Sequence, residues 1–372
     1  MKIAITADPH LNNNTYQIID PDSGLYVKSV DAINAFEWFA DESIARKVDR
    51  VVVLGDTFHN SDPTEAIRRR VSPVLQKLAA SKIQVVVITG NHDFCSKYHA
   101  LESIEGWNKL VKIVDKPFVE AGIASYAPHT IDIECGRTDF RTMIKSLPTT
   151  SCGKHIFFGH FGVRGAMRDN LSREDSGGAV STVDIENTGA TIAFLGHFHK
   201  YQRIKSNIPV FYVGSIENHR MEDMDGKRGF MIYDTESGEY ERVDYTKARP
   251  MHSIEVSSLD ESMAIFESGE WKSSIVRLSV VGEHKSFLEV RSRIVDIKRL
   301  FTAAGGTFIY CADSTGARDK SSSSKVEIES IDQIDIMATL RAEVNERLED
   351  DPEECATILL ELEEIYAEES AK

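Results

Sequence analysis

The sequence predicts an α/β protein with two packed sheets, a small βαβ unit beyond residue 250 and a terminal pair of helices. Three observations carry this. Short apolar runs at residues 2–6, 50–55 and 83–90 alternate with stretches of helical length at 28–47 and 64–80, the pattern of strands joined by helices. Each of the three runs ends in a polar cluster, Asp8-Pro9-His10, Asp56 to His59 and Asn91-His92-Asp93, so these groups gather where strands leave the sheet, the edge at which open α/β sheets bind ligands. After about residue 150 the pattern turns strand-rich, at 155–158, 191–195, 210–213, 230–233 and 240–243, and a second sheet packed on the first is the simplest reading.

The later segments follow from composition. Residues 275–281, 286–303 and 307–311 read as strand, helix and strand, a βαβ unit within 251–312. Residues 313–326 have the Ser, Gly and Lys content of a flexible linker. Residues 327–372 read as two amphipathic helices. In the second, Cys355, Ile358, Leu359, Leu362, Ile365 and Tyr366 form one apolar stripe, and Asp351-Pro352-Glu353-Glu354 supplies a start signal. In the first, Ile334, Met337, Leu340, Val344 and Leu348 form another. Two short helices need a surface to dock on, and a partner protein is the expected one.

Composition narrows the classes. The 372 residues are 41% hydrophobic and 27% charged, which excludes a disordered or fibrous chain and allows two or three domains. Residues 327–372 hold 16 acidic and 3 basic side chains, so most of the net charge of −16 belongs to this tail. The acidic balance argues against DNA binding over the whole surface, because phosphate contacts need Lys and Arg, but leaves room for a local basic groove. The apolar runs are too short to span a membrane and the N-terminus lacks a signal-peptide core, so a cytosolic protein is expected, bacterial or phage-encoded and acting in a host. Five scattered cysteines without a CxxC pair argue against a disulfide framework or a thiolate zinc site. Cys95 reads as a small buried filler rather than a reactive thiol.

Asp8, His10, Asp56, Asn91, His92, His160, His197 and His199 are nitrogen and oxygen donors placed at strand ends. Two divalent metals sharing a bridging carboxylate would give them a common reason, and Asp56, following Gly55 after a buried strand, suits the bridge. Gly55, Gly90, Gly159 and Gly196 precede four of the donor groups and are expected to let the backbone turn sharply. Taken singly, each donor reads as an ordinary polar residue; the set overturns that. His99, His129, His155, His219, His252 and His284 stay with the ordinary reading.

Five blocks in order, Asp8-Pro9-His10, Gly55-Asp56, Gly90-Asn91-His92-Asp93, Gly159-His160 and Gly196-His197-Phe198-His199, resemble the calcineurin-like metallophosphoesterase superfamily over roughly residues 1–250. The resemblance implies a four-layer α/β/β/α sandwich. Residues 55–63, with His59 three positions after Asp56, together with 159–166 and 212–220, resemble the SbcD-like, meiotic-recombination double-strand-break repair nucleases. By that resemblance 1–250 is a nuclease domain, 251–312 a capping domain, and the helix pair binds an SMC-like, SbcC-like coiled-coil ATPase through the stripe at Ile358, Leu359, Leu362, Ile365 and Tyr366. It also implies that one metal takes Asp8, His10, Asp56 and His199, and the other Asp56, Asn91, His160 and His197. Mn²⁺ is the expected ion, with Mg²⁺, Fe²⁺ or Zn²⁺ compatible with the donors. His92 would protonate the leaving oxygen, Asp93 would orient His92 or stand as an outer ligand, and His59 would position phosphate or DNA.

Arg68, Arg69, Arg70, Arg164, Arg168, Arg173, Lys200 and Arg203 are basic residues near the expected mouth of the site, suited either to tracking DNA phosphates or to a solvated face. No base-reading motif accompanies them. The helix at 64–80 is where the related nucleases form part of their homodimer, and Pro73 is expected to interrupt it. The implied activity is hydrolysis of DNA phosphodiester bonds in end processing, recombination, replication and repair. Its rivals are a phosphatase or cyclic-nucleotide phosphodiesterase of the same superfamily, and a catalytically dormant DNA-end-binding scaffold.

Overall fold

The computed structural model describes residues 1–95, 98–104, 108–150, 153–167, 180–224, 226–268, 271–280, 287–303 and 305–313. The linker beyond residue 313, the helix pair at 327–372 with its stripe from Ile358 to Tyr366, Arg168, Arg173 and His284 lie outside the described residues.

In chain order the first sheet region comprises β1 (Lys2–Thr6), α1 (Val27–Ala45), β2 (Arg50–Leu54), α2 (Glu65–Ala80), β3 (Gln84–Ile88), the short hairpin β4 (Phe94–Cys95) and β5 (Tyr98–His99), and β6 (Val111–Val114). There follow β7 (Phe118–Glu120), β8 (Ala124–Ala127), α3 (Ile131–Glu134), α4 (Phe140–Ser146), β9 (Ile156–His160), α5 (Thr182–Glu186), β10 (Ile192–Gly196), β11 (Gln202–Ile204) and β12 (Val210–Tyr212). β13 (Gly229–Asp234) and β14 (Tyr240–Asp244) return to the first sheet. The last described part is β15 (Met251–Val256), α6 (Leu259–Ser268), β16 (Ile275–Val280), α7 (Phe287–Ala303) and β17 (Phe308–Asp313).

The first sheet runs β14-β13-β1-β2-β3-β6, with β1, β2, β3 and β6 parallel; the second runs β11-β12-β10-β9-β8-β7. Alternation along β2 shows how the layers stack. Val51 and Val53 join Phe36 and Phe39 of α1 and Val71 and Leu75 of α2, whereas Val52 and Leu54 meet Phe158 of β9 and Phe194 of β10. Successive strand side chains point to opposite faces, so a strand covered on both faces must be apolar throughout, as RVVVL nearly is. On the far face of the second sheet, Phe157, Ala193 and Tyr212 pack with Met143 and Ile144 of α4 and Ile185 of α5. This is the α/β/β/α sandwich. Each fully buried Val, Leu or Phe contributes about 1.5–3 kcal/mol.

Two expectations about elements need correction. The unit after residue 250 has three parallel strands, ordered β15-β16-β17, and two helices rather than one βαβ. β15 escapes the pattern because His252, Ser253 and Glu255 face outward and leave it few apolar residues. Helix α2 is unbroken: Pro73 stands on its exposed side, where the carbonyl left without a donor can be hydrated. Thr64 caps this helix by accepting from the Ile67 N–H. Cys95 is exposed, not a buried filler, because in the two-residue strand Phe94 takes the inward position. Among the described residues no helix is long and apolar enough to cross a membrane.

Candidate metal centre

The donors stand at the carboxyl ends of five strands: Asp8 and His10 after β1, Asp56 after β2, Asn91 to Asp93 after β3, His160 at the end of β9, and His197 and His199 after β10. Backbone bonds lace the first two loops together, from the Asp8 N–H to the Gly55 carbonyl (3.3 Å), His10 to Asp56 (3.0 Å) and Leu11 to Thr57 (2.9 Å). Four donors occupy positive φ without being glycine: Asp8 (50°), His10 (49°), Asp56 (47°) and His197 (93°). Such conformations cost about 1–3 kcal/mol each and persist where the surroundings impose them, as at active sites.

The glycines serve the expected turn at one position and a different purpose at another. Of Gly55, Gly90, Gly159 and Gly196, Gly55 alone has a positive φ (76°). At Gly90 the reason is space, since a Cβ there would overlap the Asp56 carboxylate. The donor loops touch, and side chains between them would push the donors apart.

The structure brings all seven proposed ligands together in two lobes around Asp56. On one side, His10 Nε2 lies 3.2 Å from His199 Nε2 and 3.8 Å from Asp56 Oδ2. On the other, His160 Nε2 lies 3.4 Å from Asp56 Oδ1, and Asn91 Oδ1 lies 3.1 Å from His160 Nε2 and 3.0 Å from His197 Nδ1. Asp8 joins the lobes: its carboxylate accepts from the His197 backbone N–H at 2.9 Å and its Oδ1 is 3.8 Å from His160 Nδ1. Asp8, His10, Asp56 and His160 are buried.

Electrostatics follows from that burial. Burial raises the Asp8 carboxyl to about 6 against the pull of His160 and His199. For Asp56 burial acts upward too, but His160 and His92 outweigh it and hold the group well below the carboxylate range. Burial alone would lower His160; the Asp56 and Asp8 carboxylates reverse this and raise it to about 9. Burial and the neighbouring imidazoles push His10 well below its ordinary value, leaving it neutral with a ring lone pair to offer. Carboxylates, an amide oxygen and imidazole nitrogens that converge fit hard or borderline divalent cations; Asp8, His10 and His199, and Asp8, Asp56 and His160, each place their donor atoms within 4.8 Å of one another.

His10, His59 and His92 form a further cluster of donors at the rim. His92 is its exposed member, with Nδ1 2.8 Å from the His59 carbonyl and its backbone N–H donating to Asp56 Oδ1 at 2.9 Å. His59 Nδ1 is 3.4 Å from His10 Nδ1, and burial with the nearby His92 lowers it to about 4. Asp93 does not orient the His92 ring as expected. Its carboxylate accepts from the backbone N–H groups of Gly90 (2.9 Å), Phe58 (3.1 Å) and Thr57 (3.4 Å), which pins the β2 and β3 loops to each other. Burial and Asp56 raise this carboxyl to about 7.

The basic residues are not drawn into the centre by any described contact. Arg69 pairs with Glu65 and Arg68 with Asp62, Arg203 lies over the Phe211 ring, and Arg70 and Arg164 are exposed; Lys200 is partly buried. His129 pairs with Glu134 and His155 with Ser125, the ordinary roles expected of them. Two residues that sequence reasoning set aside or passed over belong to the site's support. His219 Nε2 lies 2.7 Å from the Asp8 carbonyl, and Asp223 Oδ2 lies 3.1 Å from His199 Nδ1. Their one signal was position, within and just after the block at 212–220. A surface concavity lined by Lys2, Arg46, Asp234 and Tyr240 holds none of the donors.

Comparison with known proteins agrees with this geometry. The calcineurin-like phosphoesterase family model matches residues 1–201, and the chain belongs to that family of metal-dependent hydrolases, which use a dimetal centre. The chain is 32% identical over 114 residues to the DNA double-strand break repair protein Mre11 of Archaeoglobus fulgidus, covering 30% of this chain and 24% of the relative. It is 24% identical over 260 residues to the protein of the same name from Saccharolobus solfataricus, covering 68% of this chain and 62% of the relative. It thus spans less than two thirds of either relative. Among solved structures, the protein TT1561 of Thermus thermophilus overlays with a TM-score of 0.40 at 11% identity, over 65% of this chain and 98% of that one.

Proposed function

We propose that the chain is a two-metal-dependent DNA nuclease subunit that hydrolyses phosphodiester bonds in DNA end processing and repair, as a homodimer working with an SMC-like coiled-coil ATPase. The observation that carries the reading is the pairing of a seven-residue donor set, its members buried or half-buried, with His92 and His59 at its rim. Similarity to two Mre11 proteins supports DNA as the substrate. On this reading Asp8, His10, Asp56 and His199 hold one ion, and Asp56, Asn91, His160 and His197 the other, with Mn²⁺ the best-suited metal. When bound, the ions supply polarisation of the scissile phosphate and a water acidified enough to act as nucleophile.

The chain's own groups do the rest. His92 has Nδ1 committed to the His59 carbonyl, so Nε2 is the atom that delivers a proton to the leaving oxygen. His59, neutral at physiological pH, offers phosphate a hydrogen bond rather than a charge. Arg68, Arg69, Arg70, Arg164, Lys200 and Arg203 are proposed as phosphate-tracking residues, and the helix pair as the ATPase-binding element.

His92→Ala should retain both metals and lower cleavage by about 10²–10⁴-fold, the usual contribution of a positioned general acid. Metal titration alongside turnover checks this; loss of a metal would make His92 a ligand instead. The reading as a whole is tested by offering the purified chain with Mn²⁺ linear duplex DNA, single-stranded DNA, p-nitrophenyl phosphate and its bis-ester. Cleavage of DNA supports a nuclease, and turnover of the small esters alone would replace it with a phosphatase or small phosphodiesterase.

A further inference from the structure

We propose that Asp223 is the positioning residue for His199, selecting which of its ring nitrogens faces the metal centre; this rests on the two-metal reading of the site. Asp223 is buried, and its two carboxylate oxygens lie 3.1 and 3.3 Å from His199 Nδ1. A ring that donates Nδ1–H to a carboxylate presents the Nε2 lone pair, and Nε2 is the nitrogen facing His10 Nε2 at 3.2 Å. The carboxylate thus selects the nitrogen that points into the donor cluster.

The carboxylate is itself held. It accepts from the backbone N–H groups of His219 (3.1 Å) and Arg220 (3.2 Å). Arg228, also buried, donates from Nη1 to the His199 carbonyl at 2.8 Å and to Ser215 Oγ at 2.6 Å, and from Nη2 to the Asp223 carbonyl. One guanidinium therefore fixes the backbones of both partners. His219, whose N–H bonds Asp223, reaches the Asp8 carbonyl with its ring, so the same assembly touches two ligands of one lobe.

The turn Met221–Asp223 that carries this carboxylate is seated on the small sheet. Met221 packs with Met251 of β15 and Ile275 of β16, and Glu222 accepts from Arg277 of β16 at 2.9 Å. Of three consecutive residues, two face the small sheet and the third holds a metal ligand. Asp223, His219 and Arg228 all lie beyond the 1–201 span matched by the family model, so two of the seven proposed ligands are supported from outside that span.

Asparagine at 223 keeps the shape but loses the charge and one of two acceptor oxygens. The test is calorimetric titration of Mn²⁺ into the metal-free full chain, with the metal-free melting temperature measured alongside. In the wild type two sites should bind. Asp223→Asn should weaken one of them by about 10–100-fold, as loss of an outer partner usually does, and leave the other and the melting temperature nearly unchanged. Glu222→Gln, in the same turn but turned toward Arg277, should alter neither. Unchanged affinities in Asp223→Asn would overturn the proposal, as would both sites falling together with the melting transition, which is what a merely structural role gives. A wild-type chain that binds no Mn²⁺ would overturn the two-metal reading first and this inference with it.

Discussion

Replacing Asp56 with asparagine is expected to reduce Mn²⁺-dependent DNA cleavage by well over the ~100-fold typical of losing even an outer metal partner. Asp56 is the donor shared by both lobes: one oxygen faces His10 at 3.8 Å and the other faces His160 at 3.4 Å. The same carboxylate accepts the His92 backbone N–H, so it also helps to place the His92 ring at the rim. An amide keeps the volume but has one acceptor oxygen, no charge, and N–H groups aimed at a lobe built to receive a cation. Cleavage rates and Mn²⁺ stoichiometry, measured together, should both collapse. The fold should survive, because the apolar cores on the two faces of β2 do not include this side chain. A variant with wild-type turnover would remove Asp56 from the bridge.

The largest effect on stability is expected away from the chemistry, at Lys28. Its Nζ is buried and donates to Asp31 Oδ2 at 3.0 Å and Glu217 Oε1 at 3.2 Å. Arg249 completes the group, donating to both Asp31 oxygens at 2.6 and 2.7 Å and, through its backbone N–H, to Glu217 at 3.2 Å. The Arg249 guanidinium also reaches the Ser273 carbonyl and Thr307, so the network fastens α1 to the segment before and within the small sheet. Two cations and two anions balance. Removing Lys28 strands a buried carboxylate, and Lys28→Ala should lower stability by about 3–5 kcal/mol, measurable by denaturant titration. Burial already raises the Glu217 carboxyl, with Lys28 opposing, so the variant raises it further. A carboxyl raised in the folded state binds more protons there than in the unfolded chain, hence stability falls as pH rises. The loss in Lys28→Ala should therefore be greater at pH 8 than at pH 5.

Much of the architecture was legible because burial on two faces leaves an unmistakable text. RVVVL and QVVVI have no room for polar alternation, and the two-sided core explains why. The clustering of the candidate donors was legible for a related reason: the topology delivers strand ends to one edge, so donors scattered over nearly two hundred residues share a position in each unit. What stayed hidden depends on tertiary contact. β6, β7, β8 and β11 are three or four residues long, too short for a period to show. Asp93 looked like a partner for its neighbour His92, yet its side chain turns to the Gly90 N–H of its own loop and to the Thr57 and Phe58 N–H groups that only the docking of two loops brings near. Lys28 and Glu217 are 189 positions apart and ordinary when read singly. Asp223 is one of 59 acidic residues, and nothing local separates a carboxylate that holds an imidazole from one in solvent.

The most direct test of the account is crystallographic. Crystals of the chain grown with Mn²⁺ and measured near the manganese edge should give two anomalous peaks. One should be bounded by Asp8, His10 and His199 and the other by Asn91, His160 and His197, with Asp56 bound to both and His92 to neither. A single peak, or a peak coordinated by His59 and His92 at the rim, would contradict the two-lobe centre on which the proposed hydrolysis rests.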